Sequence, residues 1–350
     1  MISLRHHEEW PDWAFRLPQW GMALYLALRH RSLTAISAAN PYFEGGGLVG
    51  ASKSQILGLL PKEVSALVPA WIVARRHADT DKTVRDALSC MVQSKLSYPL
   101  VAKPDIGSRG KGVSLINDEA GLRAYITAYP MGERFILQTR CSQPVQATLF
   151  YARQPDEAKG RILSVTVKEI LVVTGTGVRT LRELILENPR GARFAHLYLP
   201  KLAAQWNDIL PIGEIKPMSF AASRHQGAVM HDRSDLINDS MNLYWDGIAR
   251  QIPEFHFGSF DVCASSLEDL VSGTDVHLLE IDGVGAEDPS VFNESTSTGD
   301  AYRTLWDRLS LAYDIGADNR RRGHKADSLL YLFSLWAREK AISRLYPTGQ

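Results

Sequence analysis

The spacing of apolar residues changes character near Pro99. Upstream, apolar helical stretches run to about residue 75, broken by Pro18, Pro41, Pro61 and Pro69. Gly45-Gly46-Gly47 marks a turn or a loop that a ligand can approach closely. Thr80 to Leu96 is polar overall but places Val84, Leu88, Met91 and Val92 at roughly helical spacing. Downstream, short β-branched or aromatic runs alternate with turn residues. Strands are expected at Leu100-Val101-Ala102, Phe135-Ile136-Leu137, Ala147 to Tyr151, Ile162 to Val167, Phe257 to Ala264 and Val276 to Ile281. Helices are expected between them at Asp118–Tyr125, Thr180–Glu187 and Asp235–Arg250. Asp300 to Leu345 reads as helices with Trp306, Leu309, Leu329, Leu332 and Leu335 on their apolar faces. The pattern predicts an α+β chain with several mixed sheets, because one doubly wound sheet would show a more regular βαβ alternation.

The most apolar runs, Trp20 to Leu28 and Leu329 to Trp336, fall short of the ~20 residues that span a bilayer, so no stable membrane span is expected. Arg29-His30-Arg31 follows the first run. That run is read as a core-facing helix, with an interfacial helix as the alternative. The N-terminal stretch from Met1 to Glu9 carries acids where a signal peptide needs an apolar core, which argues against secretion.

Composition narrows the class. With 350 residues, 45% apolar and 22% charged, the chain can build two or three packed units and is neither fibrous nor disordered. Lys+Arg and Asp+Glu both total 39, so the basic excess of a dedicated nucleic-acid binder is missing. Cys90, Cys141 and Cys263 are far apart and form no C-x-x-C pair. That argues against a zinc knuckle, a thioredoxin-type motif or a disulfide framework, and favours a reducing cytoplasm.

Candidate chemistry begins at Leu100-Val101-Ala102-Lys103-Pro104-Asp105-Ile106-Gly107-Ser108-Arg109-Gly110-Lys111-Gly112. A strand ends in a lysine, and a loop rich in glycine and base follows. Glycines at Gly107, Gly110 and Gly112 let backbone N–H groups approach phosphate oxygens, and Lys103 adds a positive charge. The loop matches neither the P-loop nor the dinucleotide fingerprint.

A second constellation lies in Val276-His277-Leu278-Leu279-Glu280-Ile281-Asp282. Strand alternation puts Glu280 and Asp282 on one face, about 6–7 Å apart, with Leu279 and Ile281 on the other. Asp261 sits inside another strand-like run. Three acids in apolar strands favour a hard cation such as magnesium, because burying carboxylates needs a compensating charge.

In this order the motifs resemble the ATP-grasp superfamily, on the side of D-alanine–D-alanine ligase and cyanophycin synthetase, from about Asp79 to Asn293. Val101-Ala102-Lys103-Pro104 and its Gly-Ser loop are similar to the strand and glycine lid that hold ATP phosphates. Phe135-Ile136-Leu137-Gln138-Thr139 resembles the hinge strand beside adenine. Gly175-Thr176-Gly177-Val178-Arg179-Thr180-Leu181-Arg182-Glu183-Leu184-Ile185 closely resembles the "GDG-x-x-T-L-x-E-L-I" stretch of cyanophycin-synthetase-like members. Phe260-Asp261-Val262 and Leu279-Glu280-Ile281-Asp282-Gly283 match the two metal-carrying strands. Gly45-Gly46-Gly47, Gly50-Ala51-Ser52-Lys53 and Asn319-Arg320-Arg321-Arg322-Gly323 also resemble a group of bacterial ATP-grasp proteins of unclear substrate. Three positions depart: Asp282 replaces the usual Asn, Gln138 the common Glu, and Ser259 a usual arginine.

The resemblance implies an α+β ATP-grasp fold, in which two subdomains grip ATP, with an N-terminal unit ahead of them and C-terminal helices behind. The expected divisions are 1–78, 79–140 with the glycine lid, 141–299 with the metal strands, and 300–350. It implies a carboxylate–amine ligase that acts through an acyl phosphate. Lys103, Lys168, Gly107, Ser108, Gly110 and Gly112 would hold the phosphates, and Gln138 and Thr139 would meet the adenine. Asp261, Glu280 and Asp282 would carry two magnesium ions, or manganese in their place. Lys168 and Arg224 are the candidate catalytic cations, with Arg224 binding a substrate carboxylate or the intermediate. The loop Gly283-Val284-Gly285-Ala286 is where acyl acceptors approach in relatives, and His225 reads as an ordinary hydrogen-bonded histidine. Small-molecule carboxylates and amines are the expected partners, with no nucleic acid, and homo-oligomerisation stays open. An ATP-grasp kinase is one alternative. A nucleotide-binding regulatory or scaffold protein without turnover is the other, and Ser259 points toward it.

Overall fold

A computed structural model describes residues 7–347. Met1 to His6, on which part of the signal-peptide reading rests, lie outside the described residues. Helix α1 (Asp12–Arg29) runs through Pro18 instead of stopping there; the proline is exposed, so its ring meets no neighbouring element. Two short helices follow, α2 (Lys53–Gly58), capped by Ser52, and α3 (Lys62–Ser65). Then comes β1 (Trp71–Arg75), a strand in a stretch expected to be helical. Its local signal is only Ile72-Val73; pairing along its whole length with a distant strand decides its state.

Helix α4 (Thr80–Gln93) is capped by Asp79 and buries Val84, Ala87 and Met91. Strands β2 (Leu100–Pro104) and β3 (Ser114–Ile116), helix α5 (Glu119–Ala128) and strand β4 (Arg134–Thr139) complete a four-stranded sheet of order β1-β4-β2-β3. Leu100, Ala102, Phe135 and Leu137 pack under α4 and α5, and Ile342 and Tyr346 from the far end of the chain join this core.

Strands β5 (Val145–Ala152) and β6 (Arg161–Glu169) open the second sheet. A side unit follows: β7 (Val172–Thr174), α6 (Leu181–Glu187), α7 (Pro189–Arg193), α8 (Ala195–Lys201) and β8 (Ile215–Pro217), packed on its own small core around Leu181, Ile185 and Tyr198. Here the Thr180-Leu181-Arg182-Glu183 motif has a structural task. Thr180 and Glu183 form a reciprocal capping box at the start of α6. Strand β9 (Val229–Asp232), helix α9 (Asp239–Ala249), strand β10 (Phe257–Ala264), helix α10 (Leu267–Ser272) and strand β11 (Val276–Asp282) complete the order β11-β10-β5-β6-β9. Trp245, Phe255 and Phe260 are fully buried on one face of this sheet. Helices α11 (Thr298–Arg321), packed beside α1, and α12 (Leu329–Ser343) finish the chain.

Three expectations are corrected. Every named strand pairing is antiparallel, so the sheets are not mixed. Cys141 and Cys263 form a disulfide, with Cα atoms 7.0 Å apart. Antiparallel pairing of β5 with β10 sets Cys263 opposite Gln146, which carries Cys141 to it across 122 residues, a closeness that sequence spacing hides. The inference of a reducing compartment from unpaired cysteines therefore loses its basis. Finally, α1 is not a fully core-facing helix: it buries Phe15, Leu26 and Ala27 but leaves Trp20, Leu24 and Leu28 exposed. No helix among the described residues is long and apolar enough to cross a membrane.

Candidate active site

Strand alternation aims the first functional side chain. Leu100 and Ala102 enter the core beneath α4 and α5, so Lys103 leaves β2 on the opposite face, buried. Its Nζ donates to Leu279 O at 3.1 Å, which ties the end of the first sheet to β11 of the second. Lys53, the first residue of α2, arrives beside it. Its position is set by Asp105: Ser52 Oγ reaches both Asp105 carboxylate oxygens at 2.9 Å, Lys53 N donates to Asp105 O at 2.9 Å, and Arg134 pairs with the carboxylate at 2.7 Å. Lys53 Nζ then donates to Gly107 O at 2.6 Å and pairs with Glu280 Oε1 at 3.0 Å.

Glu280 and Asp282 share a face of β11, as strand alternation predicts, but their apolar neighbours do not follow. The register slips between Asp261 and Val262, so Asp261 faces Glu280 while Val262 faces Leu278. The extra residue, Leu279, is only half-buried, and Leu278 and Ile281 are the core residues. A β-bulge of this kind re-aims side chains near functional sites. It also turns the Leu279 carbonyl to Lys103.

The electrostatics follow from two acids and two ammonium groups drawn together. Burial pushes Glu280 up, but Lys53 and Lys103 outweigh it and hold its carboxyl well below the usual range. Burial, and then the Glu280 charge, push Asp282 up to about 8. Burial also lowers Lys103, and Glu280 only partly offsets this. Lys53 is raised, because Glu280 and Asp282 overcome the effect of its burial. Asp282, without a full counter-charge of its own, is therefore largely protonated near neutral pH. Glu280 and Asp282 are side-by-side oxygen donors, the ligand type that hard divalent cations take.

The third acid has another partner. Asp261 accepts from Lys168 Nζ at 2.9 Å through both oxygens and from Thr148 Oγ1 at 2.6 Å. The structure thus joins two of the predicted residues, Lys168 and Asp261, to each other. No three His, Cys, Asp or Glu side chains among the described residues form a cluster that could hold a metal ion.

The glycine loop is packed against protein. Gly112 has φ +71°, and a Cβ there would lie 2.8 Å from Pro104 Cγ and 3.0 Å from Tyr346 Cβ. Ser108 Oγ donates to Glu339 at 3.0 Å, Tyr346 Oη donates to Ile106 O at 2.5 Å, and Arg109 pairs with Asp12 of α1. Gln226 Nε2 reaches Gly110 O at 3.5 Å. Gly45-Gly46-Gly47 also has a packing reason. Val284 N and Gly285 N donate to Gly46 O and Gly47 O, and a Cβ on Gly47 would lie 2.6 Å from Gly283 Cα. The triple glycine therefore seats the N-terminal unit directly on the loop that follows Asp282.

The remaining predicted residues lie apart from these contacts. Gln138 is buried and donates to Pro69 O at 3.4 Å; Thr139 follows it at the end of β4, its N bonded to Ala70 O at 2.8 Å. Arg224 lies 3.9 Å over the Phe292 ring and pairs with Glu287 at 3.3 Å and Asp12 at 3.7 Å, so protein carboxylates already balance it. His225 is within 3.3 Å of Arg224, and burial, then that guanidinium, push it down to about 4. Sequence reading missed Lys53 as a site residue, although its Gly-Ala-Ser-Lys segment carried a signal. Glu339 and Tyr346, which hold the glycine loop from the opposite end of the chain, had none.

No protein-family description matches the chain, and no curated protein matches it by sequence. Among solved structures it is similar to D-alanine–D-alanine ligase from Bacillus anthracis, at 10% identity and TM-score 0.41, over 78% of this chain and 69% of that one. It is also similar to VanG D-Ala:D-Ser ligase from Enterococcus faecalis, at 13% identity and TM-score 0.39, over 75% and 61%. A third is the bifunctional glutathione synthetase from Pasteurella multocida, at 13% identity and TM-score 0.35, over 73% of this chain and 36% of that one. The chain thus spans about a third of the synthetase and three fifths of the VanG ligase.

Proposed function

We propose that the chain is an ATP- and magnesium-dependent ligase that joins a small-molecule carboxylate to an amine. The observation that carries this reading is the position of Lys53. One ammonium group touches both the glycine loop, at Gly107 O, and the acidic strand, at Glu280 Oε1. Two motifs far apart in sequence therefore meet at one charge, as a phosphate site beside a metal site requires.

In this reading residues 79–140 supply the lid, 141–299 the acidic strands, 1–78 the substrate side and 300–350 a helical extension. Lys103, Lys53 and Lys168 offer positive charge to the phosphates, and Gly107, Ser108, Gly110 and Gly112 offer backbone donors once the loop parts from Glu339. Gln138 and Thr139 face the adenine. Glu280 and Asp282, joined by Asp261 when Lys168 turns to phosphate, would hold magnesium or manganese, which supplies charge neutralisation. The γ-phosphoryl group passes to a substrate carboxylate oxygen. The amine then attacks the acyl carbon, phosphate leaves, and the nitrogen gives up its proton. Arg224 is the cation for the substrate carboxylate, released from Glu287 as it binds.

Ser259 and the balanced state of Arg224 favour one second reading, a nucleotide-binding scaffold. Incubation with Mg-ATP and a panel of amino acids and dipeptides separates the cases. ADP and phosphate release that needs both a carboxylate and an amine supports the ligase. Phosphate on a hydroxyl product means a kinase, and tight ATP binding with no ADP release means the scaffold. Thermal stabilisation by NAD but not by Mg-ATP overturns all three.

A further inference from the structure

Helix α1 carries the largest departure from ordinary burial. Trp13 is 63% exposed, Leu17 55%, Trp20 59%, Leu24 56% and Leu28 69%. Their spacing of three and four residues puts them on one stripe of an 18-residue helix, about 22 Å from Trp13 to Leu28. The helix is seated on the body from its other side, by Phe15, Leu26 and Ala27 and by Tyr25 against Trp306 at 5.7 Å. Beyond the stripe, Leu33 is exposed as well.

We propose that α1 docks the protein on an anionic lipid surface, its axis lying in the headgroup plane. Charge selects this occupant. The only acid in the helix is Asp12, at its first residue, where it pairs with Arg109. At the other end, Arg29 and Arg31 are exposed and make no ion pair among the described residues, so two cations follow the C-terminal end of the apolar stripe. Tryptophan at the boundary of an apolar face, with arginine beside it, is the composition of an interfacial helix. A second copy of the chain is a poorer occupant. A stable interface takes about 20–30 residues a side, and this stripe offers five large side chains. The helix cannot leave the body to span a bilayer, because its far side belongs to the core. This contact does not depend on what Lys53, Lys103, Glu280 and Asp282 bind.

Flotation of the full chain with vesicles tests the proposal. Vesicles of phosphatidylcholine mixed with phosphatidylglycerol should carry the protein upward, and phosphatidylcholine alone should carry much less. The Leu17→Glu/Leu24→Glu variant should stay folded, since both side chains face water, and should lose flotation. Arg29→Gln/Arg31→Gln should lower partitioning roughly 25-fold, about fivefold per charge removed. Circular dichroism and the thermal transition of each variant confirm folding. Absent flotation with the mixed vesicles overturns the proposal, as does flotation that survives Leu17→Glu/Leu24→Glu. A dimer that this variant splits, with no vesicle binding by the parent chain, assigns the stripe to a second copy instead.

Discussion

Between the two sheets, Lys53, Lys103, Glu280 and Asp282 are drawn away from water, while the five large apolar side chains of the α1 stripe stand in it. The two regions invert the usual burial rule in opposite directions, and the chain manages them differently. Between the sheets two of the carboxylates are answered locally by ammonium groups, Glu280 by Lys53 and Asp261 by Lys168, while Asp282 is pushed up to about 8 by burial and the Glu280 charge. Along α1 nothing among the described residues covers Trp13, Leu17 or Trp20. A buried charge must be compensated within the fold or give up its charge, as Asp282 does, whereas an exposed apolar side chain is tolerated without a partner. The charged contact between the sheets is therefore coupled to stability and the stripe is not.

Glu280→Gln breaks that coupling most sharply. It leaves Lys53 and Lys103 near each other with one carboxylate fewer. The cost in denaturant melts should sit at the low end of the about 3–5 kcal/mol seen when a buried pair loses one partner, because Glu280 keeps 23% side-chain exposure. ATP turnover should collapse, and added magnesium should restore only part of it. Asp282→Asn should be far milder, since burial and the Glu280 charge already hold Asp282 largely protonated and an amide replaces it with little change in charge. Equal damage from the two would detach β11 from the proposed metal site.

Lys103→Ala ranks next. Leu100 and Ala102 keep β2 in its core, so the variant should fold, with ATP affinity or turnover lowered on the order of a hundredfold. Unchanged kinetics in a folded variant would reduce the glycine loop to a connector.

A third test uses pH. Burial and Arg224 hold His225 at about 4, below the ordinary 6.5. Between those values the unfolded chain binds a proton that the folded chain excludes, so stability contributed by this group is lost as pH falls from 6.5 toward 4. Urea midpoints of His225→Gln should fall less across that window than those of the parent chain. Parallel slopes would show that the imidazole is not shielded from protonation.

The smallest effect belongs to the stripe. Leu24→Ala should change stability by no more than about 0.5 kcal/mol, as expected for an exposed position. A larger loss in dilute protein without lipid would mean that α1 is covered in solution, and the contrast with the charged contact would vanish.

Much of this was readable without coordinates. Short β-branched or aromatic runs between turn residues marked β2, β4, β5, β6, β10 and β11, and the stretches of α4, α5 and α6 were readable as helices, whose caps the structure then places at Asp79, Asp118 and Thr180. Lys103, Glu280 and Asp282 could be singled out because a charged residue in an apolar strand is conspicuous in one dimension. What stayed hidden depended on contacts between distant segments. β1 is a strand because β4 pairs with it, and Leu279 bulges because β10 and β11 slip register. The Cys141–Cys263 bond, the reach of Lys53 to Gly107 and Glu280, and the hold of Glu339 on Ser108 each join residues more than fifty positions apart. Local sequence therefore determined the elements and the charged residues they carry, because propensity and alternation act over a few residues. Only the tertiary structure decided which charges meet and which apolar face stays uncovered, because both depend on what the rest of the chain brings alongside.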